Sequence, residues 1–349
     1  MKLKKRKIIL IIILFVTIVG TAVSVPWRLL MAWIAPLPNT VQVQVDEAVN
    51  FGLDGIIVYV AQSTEDPAFY SAGWENRESQ TPADPHALFK IASISKLYIA
   101  VAAVKLVNNQ SLSLDSTLAE LLPELAGRIE YADEITLRML LQHRSGIPDW
   151  IDDPEFPWTE SVTNVDDVLE FVLDDPADFK PDTRYAYSNT NYLLIGKILD
   201  KTLGYDHQQY IRQEILVPLG LTHTFGSLSD VDADKVVSGY SVGYEGDEKM
   251  HDFVAPGGSM VATAEDVGIL LKALNDGSLL NDSEQAIYSS VYVYEHTGLL
   301  PGYSSIAKYH KDIDTVVVQF VNTSGGDTWG ITEIVYDRII KILRKQNVL

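Results

Sequence analysis

The stretch Ile94–Val107 is the strongest constraint on how this chain folds. It is apolar nearly all round (Ile94, Leu97, Ile99, Ala100, Val101, Ala102, Ala103, Val104, Leu106). As a helix it has no face to offer water, so it reads as a buried central helix rather than a surface one. Ser93-Ile94-Ser95-Lys96 stands at its start. Three residues apart on a helix, a serine and a lysine share one face about one turn apart. An ammonium held in apolar surroundings is driven toward its neutral form, which can take the serine's proton. The pattern reads as an activated nucleophile, against the alternative of a helix cap followed by a surface lysine. A second match, Ser305-Ile306-Ala307-Lys308, lies in the alternating stretch Tyr303–His310. That stretch reads as a strand, where positions i and i+3 point to opposite faces. Only Ser93 has helical context.

Two further boxes follow along the chain. Tyr187-Ser188-Asn189 precedes Thr190–Leu203, whose apolar spacing suits a helix, and His296-Thr297-Gly298 ends the tyrosine- and valine-rich run Tyr288–His296, which reads as a strand. Alone, the first is an ordinary turn and the second an ordinary strand end. In this order, Ser-x-x-Lys, Tyr-x-Asn and His-Thr-Gly resemble the active-site signature of serine β-lactamases and penicillin-binding D,D-peptidases. The resemblance is to the branch with Tyr-x-Asn, which holds class C β-lactamases, D,D-carboxypeptidases and related esterases and aminopeptidases. Leu140–Asp149 (LLQHRSGIPD) is similar to a characteristic segment of that family, and Ala255–Asp266 to its glycine turn and following helix cap. The resemblance runs from about Phe51 to Arg344.

The resemblance implies roles for these residues. Ser93 is the nucleophile, with its own backbone N–H at a helix N-terminus favouring a developing oxyanion. The backbone N–H of Leu299 is the second oxyanion donor. Lys96 is the first candidate for general base and Tyr187 the second. Asn189 bonds Lys96 and a substrate amide, while His296, Thr297 and Gly298 line the substrate. His296 departs from the lysine many members carry there. Its charge depends on pH and neighbours, whereas Thr297 can still bond a carboxylate. His143 reads as structural, a helix-end histidine bonded to backbone.

Composition narrows the rest. A chain of 349 residues, 47% hydrophobic, can bury a large core. Lys2, Lys4, Lys5, Arg6 and Lys7 precede Ile8–Trp27, 20 residues without a charge, enough helix to span about 30 Å of bilayer core. The basic flank 1–7 is expected to stay cytoplasmic, with 8–27 as an uncleaved anchor and the remainder outside. The competing reading is a signal peptide cleaved after Ala22-Val23-Ser24. A juxtamembrane linker (28–45) and one hydrolase domain (46–345) follow. The net charge of −20, with five of the 27 basic residues in that flank, disfavours nucleic acid and other polyanions. With no cysteine there is no disulfide or thiolate metal site. The seven histidines show no paired metal-ligand spacing, and Asp230–Asp234 begins like a calcium loop but has Lys235 at the glycine position. No cofactor and no metal is expected. The sequons at Asn281 and Asn322 read as chance.

Val41–Phe51 reads as a leading helix, and Gly55–Ala61 with Ala68–Trp74 as a hairpin. Asp115–Gly220 is helical with Pro-punctuated loops, and Thr315–Asn322 adds a strand before the amphipathic helix Trp329–Leu343. Strands at both ends with helices between predict an α+β fold. The resemblance implies the same: an antiparallel sheet flanked by N- and C-terminal helices, with an inserted helical subdomain and the active site at the junction. Three functions compete. The first is a membrane-tethered D,D-carboxypeptidase-like hydrolase acting on D-alanyl peptides of the cell wall. The second is a β-lactamase, or an esterase or D-aminopeptidase of the same fold. The third is a non-catalytic penicillin or wall-peptide sensor. Partners are a small peptide, ester or β-lactam and the membrane; the sequence sets no oligomeric state.

Overall fold

The computed structural model describes residues 17, 20, 25–62, 65–158, 160–162, 164–253 and 255–347. The expected anchor at 8–27 lies almost wholly outside the described residues. Among those described, no helix is long and apolar enough to cross a membrane.

Strand periodicity builds the centre of the molecule. In chain order the strands are β1 (Gly55–Gln62), β2 (Ala68–Asn76), β3 (Thr81–Pro82), β4 (Phe89–Lys90), β5 (Thr224–Phe225), β6 (Tyr240–Ser241), β7 (Val261–Ala262), β8 (His296–Leu300), β9 (Tyr303–His310), β10 (Thr315–Val321) and β11 (Thr323–Ser324). Six of them form one antiparallel sheet in the order β3-β2-β1-β10-β9-β8. The first and last segments of the chain therefore pair at its middle, where Val58 faces Gln319 and Val60 faces Val317. Alternate residues of a strand point to opposite faces, and here both faces are covered. Ile57 and Tyr59 of β1, with Val316, Val318 and Phe320 of β10, enter one core, while Ile56, Val58, Val60, Val317 and Val321 enter the other.

The helices that cover these faces are α1 (Trp27–Ile34), α2 (Val41–Asn50), α3 (Ser95–Asn108), α4 (Asn189–Leu203), α5 (Ala264–Asp276), α6 (Asp282–Val291) and α7 (Thr328–Gln346). The terminal helices α1, α2 and α7 pack on one face. On the other lies α5, and the largely apolar α3, whose residues from Leu97 to Val104 have no exposed surface, shares the same core. Such a helix is stable only when enclosed, and α4, α6 and shorter helices between 118 and 219 complete its enclosure. The chain is thus an α+β fold with an antiparallel sheet, flanking terminal helices and an inserted helical region.

Two local expectations change. Tyr288–Val291 is the end of α6 rather than the start of a strand. Asn281 and Glu284 form a capping box, each side chain accepting the other's backbone N–H, which starts a helix upstream of the alternating tyrosines. The strand begins only at His296. Residues 28–45, read as a linker, fold onto the body as α1 and the first turn of α2. Buried Arg338 of α7 holds the turn between them, donating to the carbonyls of Ala35 (2.7 Å) and Pro36 (2.6 Å).

Candidate active site

The site lies where α3, α4 and the edge strand β8 meet. Phe89–Lys90 leads into a three-residue turn, Ala92–Ile94, before α3 begins at Ser95. Ala92 has φ of +51°, a conformation that disfavours a side chain and recurs where surrounding structure holds a functional turn. Ser95 fixes this turn, its hydroxyl donating to the Ala92 carbonyl at 2.6 Å. Ser93 faces the resulting cavity from the turn, and Lys96 from the first turn of α3.

Lys96 is 1% exposed. Its Nζ lies 3.0 Å from Ser93 Oγ, 2.8 Å from Asn189 Oδ1 and 2.8 Å from the Gly257 carbonyl oxygen. Burial brings its pKa down to about 7, with the Asp149 carboxylate pulling the other way. Glycine is required at 257, where a Cβ would stand 2.8 Å from Tyr192 Cβ and 3.0 Å from Lys96 Cγ. Asn189 opens α4, and its Nδ2 donates to Asp149 Oδ2 at 2.9 Å. A carboxylate only accepts, so this bond turns the amide oxygen toward Lys96.

Tyr187 donates its hydroxyl to Ser93 Oγ at 3.0 Å. Its ring is partly exposed, yet withdrawal of the phenol from water raises its pKa above the ordinary value. It is a neutral donor beside a lysine whose pKa is lowered to about 7. Buried His143 supports the ring, stacking on it at 4.4 Å between centroids. Its Nδ1 accepts the Ser188 backbone N–H at 3.2 Å, the backbone bond expected of it. Burial first, then the Lys96 cation, lower the pKa of His143 to about 3.

β8 carries the third box. A Cβ at Gly298 would lie 2.3 Å from Ser305 Oγ and 2.4 Å from the Ile91 carbonyl oxygen, so glycine lets the strand close against the Ser93 turn. His296 Nδ1 is 2.5 Å from the Thr297 carbonyl and Nε2 is 2.9 Å from Tyr292 Oη. A carbonyl only accepts, so Nδ1 carries the proton and Nε2 accepts from the tyrosine. Burial, then the Lys96 cation, bring the His296 pKa down to about 4. Against the expectation of a charge that varies near neutrality, the ring is uncharged there and both nitrogens are engaged.

The cavity has a volume of about 360 Å³. It is lined by Ser93, Lys96, Tyr187, Asn189, His296, Thr297 and Leu299 together with Trp150, Ile151, Trp158, Leu193, Phe253 and Leu300. All three boxes thus meet at one opening. The second Ser-x-x-Lys match does not join it: Ser305 is buried in β9. Asp200, Asp206 and His207 lie close enough together to suggest a metal. Asp200 accepts the His207 backbone N–H and Asp206 that of Gln208, the bonds of a helix start.

A sequence model of the beta-lactamase family matches residues 45–292. The chain belongs to the beta-lactamase family. The matched region holds Ser93, Lys96, Tyr187 and Asn189 but stops short of His296, which the fold returns to them. Protein flp of Staphylococcus aureus is 27% identical over 194 residues, 54% of this chain and 39% of that protein. Penicillin-binding protein 4* of Bacillus subtilis is 25% identical over 190 residues, covering 54% and 41%. The chain spans about two fifths of the length of these relatives. D-amino acid amidase from Ochrobactrum anthropi SV3, solved with D-phenylalanine, overlays with a TM-score of 0.79 at 22% identity, covering 89% of this chain and all of that one.

Sequence reasoning assigned no role to Asp149, Tyr292 or the wall of Trp150, Trp158 and Phe253. Asp149 was visible as the end of the family-like segment Leu140–Asp149. The wall carries no pattern, because Phe253 reaches it from a segment far along the chain from Trp150 and Trp158.

Proposed function

We propose that this serine hydrolase works through an acyl-enzyme on Ser93, with its catalytic domain (46–345) outside the cytoplasm. Neutral Lys96 keeps two N–H bonds, directed at Asn189 Oδ1 and the Gly257 carbonyl, so its lone pair faces Ser93 Oγ. The amine takes the serine proton as Oγ attacks the acyl carbon. The backbone N–H groups of Ser93 and Leu299 receive the developing oxyanion. The C–N or C–O bond to the leaving group then breaks and the leaving atom takes a proton from the Lys96 side, with Tyr187 holding Oγ in line. Water releases the acyl group by the reverse path. One observation carries this reading: a lysine 1% exposed, touching Ser93 Oγ, with no carboxylate among the described residues bonded to its Nζ. Asp149 acts through Asn189 as a positioning residue.

Donors are small peptides, amides or esters; D-alanyl peptides of the cell wall, the first reading from sequence, end in a free carboxylate for which the cavity offers no cation besides Lys96 among the described residues. The names of Penicillin-binding protein 4* and D-amino acid amidase support this range. The neutral His296 favours esters and amides over a free C-terminal carboxylate. Lys2–Lys7 followed by the uncharged Ile8–Trp27 supports a membrane anchor. A fluorescent penicillin or fluorophosphonate should label the full chain, with labelling lost in Ser93→Ala and kept in Ser305→Ala. Labelling that survives in Ser93→Ala overturns the assignment.

A further inference from the structure

The cavity at Ser93 is nearly free of charge and strongly apolar. Lys96 is the one charged side chain among the described residues that line it, and its Nζ is already directed at Ser93, Asn189 and Gly257. A substrate carboxylate beside β8 meets the Thr297 hydroxyl but no counter-charge, because His296 is neutral, with its Nδ1–H held by the Thr297 carbonyl and its Nε2 holding the Tyr292 hydroxyl. A substrate ammonium fares no better. Asp149 is the acid coupled to this site, but it does not line the cavity and its Oδ2 is bonded to Asn189. Burying an ion without a partner is heavily disfavoured.

Opposite these groups stands an aromatic wall. Trp150 and Trp158 stack at 5.6 Å and Trp158 meets Phe253 at 5.7 Å, with Phe156 packed behind both tryptophans. Ile151 extends the apolar surface. Such a wall gains from removing a large apolar side chain from water and offers nothing to a small or charged one.

We propose that the site selects acyl donors that are neutral on both sides of the scissile bond and carry a bulky aromatic or aliphatic acyl side chain: N-acylated esters and amides. This rests on the acyl-enzyme reading and sets its substrate class. It separates the chain from enzymes that grip a free α-ammonium or a C-terminal carboxylate. In the reaction Ser93 Oγ bonds the acyl carbon, the ester C–O or amide C–N bond breaks, and the leaving atom takes the proton Lys96 removed from the serine. Water then yields the N-acyl acid.

The test measures kcat/KM of the full chain in detergent for matched pairs. N-acetyl-D-phenylalanine methyl ester is set against D-phenylalanine methyl ester, and N-acetyl-D-alanyl-D-alanine methyl ester against the corresponding free acid. N-acetyl-D-alanine methyl ester gives the effect of the side chain. The neutral member of each pair is expected to be at least tenfold better, and the phenylalanine ester at least tenfold better than the alanine ester. Trp158→Leu should shrink the phenylalanine-to-alanine ratio, with fluorophosphonate labelling of the variant showing that it is folded. Labelling at Ser93 combined with equal or better turnover of the charged members overturns the proposal and leaves the acyl-enzyme reading intact. Absence of both labelling and turnover overturns the two together.

Discussion

Ser93-Ile94-Ser95-Lys96 and Ser305-Ile306-Ala307-Lys308 differ at one position of four in serine, apolar and lysine content, yet their surroundings have little in common. In the first, the turn into α3 brings Lys96 Nζ to 3.0 Å from Ser93 Oγ. In the second, the extended backbone of β9 sends the two side chains to opposite faces. Lys308 reaches outward to Glu295 at 3.5 Å with about a third of its side chain exposed. Ser305 points inward and donates to the Ile91 carbonyl at 3.2 Å. The same residue types form a touching hydroxyl and buried amine in one place, a surface ion pair and a structural hydroxyl in the other. Backbone period decides whether the pair meets, and burial decides whether the lysine can lose its proton. The second pair also serves the first, because Ile91 immediately precedes the turn that carries Ser93.

The two lysines give the largest contrast. Removing a positioned general base costs on the order of 10²- to 10⁴-fold in rate. Lys96→Met should therefore lower kcat/KM for an ester substrate by that much. Lys308→Met loses only an exposed ion pair, worth about 0–1 kcal/mol of stability, and should leave kcat/KM within about twofold. Comparable losses in the two variants would break the comparison.

The pH profile sharpens it. The Lys96 pKa is lowered to about 7, and in the proposed mechanism the neutral amine, not the ammonium, accepts the serine proton. Activity is therefore expected to rise with pH through about 7 and then level off. His143 and His296 also face Lys96, but with pKa values of about 3 and about 4 they are uncharged across that limb. Tyr187, raised above its usual value, stays protonated. The Asp149 anion favours the ammonium, so Asp149→Asn should move the limb to lower pH while lowering the plateau, because an amide has one oxygen for the two N–H groups, of Ile151 and Asn189, that the carboxylate accepts. An unmoved limb in Asp149→Asn would show that the carboxylate does not act on Lys96.

Much of this was legible in the sequence because it is local. The apolar girth of Ile94–Val107, the spacing of Ser93 and Lys96 and the alternation of Tyr303–His310 each follow from one backbone period. The family-like boxes drew Tyr187, Asn189 and His296 into the same site before any distance was known. What stayed hidden depends on contacts between distant segments. The neutrality of His296 comes from its burial and the Lys96 charge, which outweigh the opposite pull of the Thr297 carbonyl, and a histidine reveals none of these by its identity. Asp149 matters through one bond to Asn189, forty positions away. Tyr288–Val291 alternates like a strand, and the cap that makes it a helix lies at Asn281 and Glu284.

The smallest effects concern how the second pair supports the first. Gly298→Ala places a Cβ 2.3 Å from Ser305 Oγ and 2.4 Å from the Ile91 carbonyl oxygen. Overpacking of this kind costs about 1–3 kcal/mol, and β8 must move away from the Ser93 turn, so both melting temperature and labelling rate should fall. Ser305→Ala removes only a hydroxyl. The Ile91 carbonyl keeps the Ile94 backbone N–H at 3.2 Å, so no acceptor is orphaned and the loss should be about 0.5–1.5 kcal/mol. Combining the two tests which contact matters. Ser305→Ala clears the hydroxyl from the path of the new methyl but leaves the Ile91 carbonyl in it, so the double variant should recover little of what Gly298→Ala loses. Full recovery of melting temperature and labelling in the double variant would show that the Ser305 hydroxyl alone sets the distance between β8 and the turn.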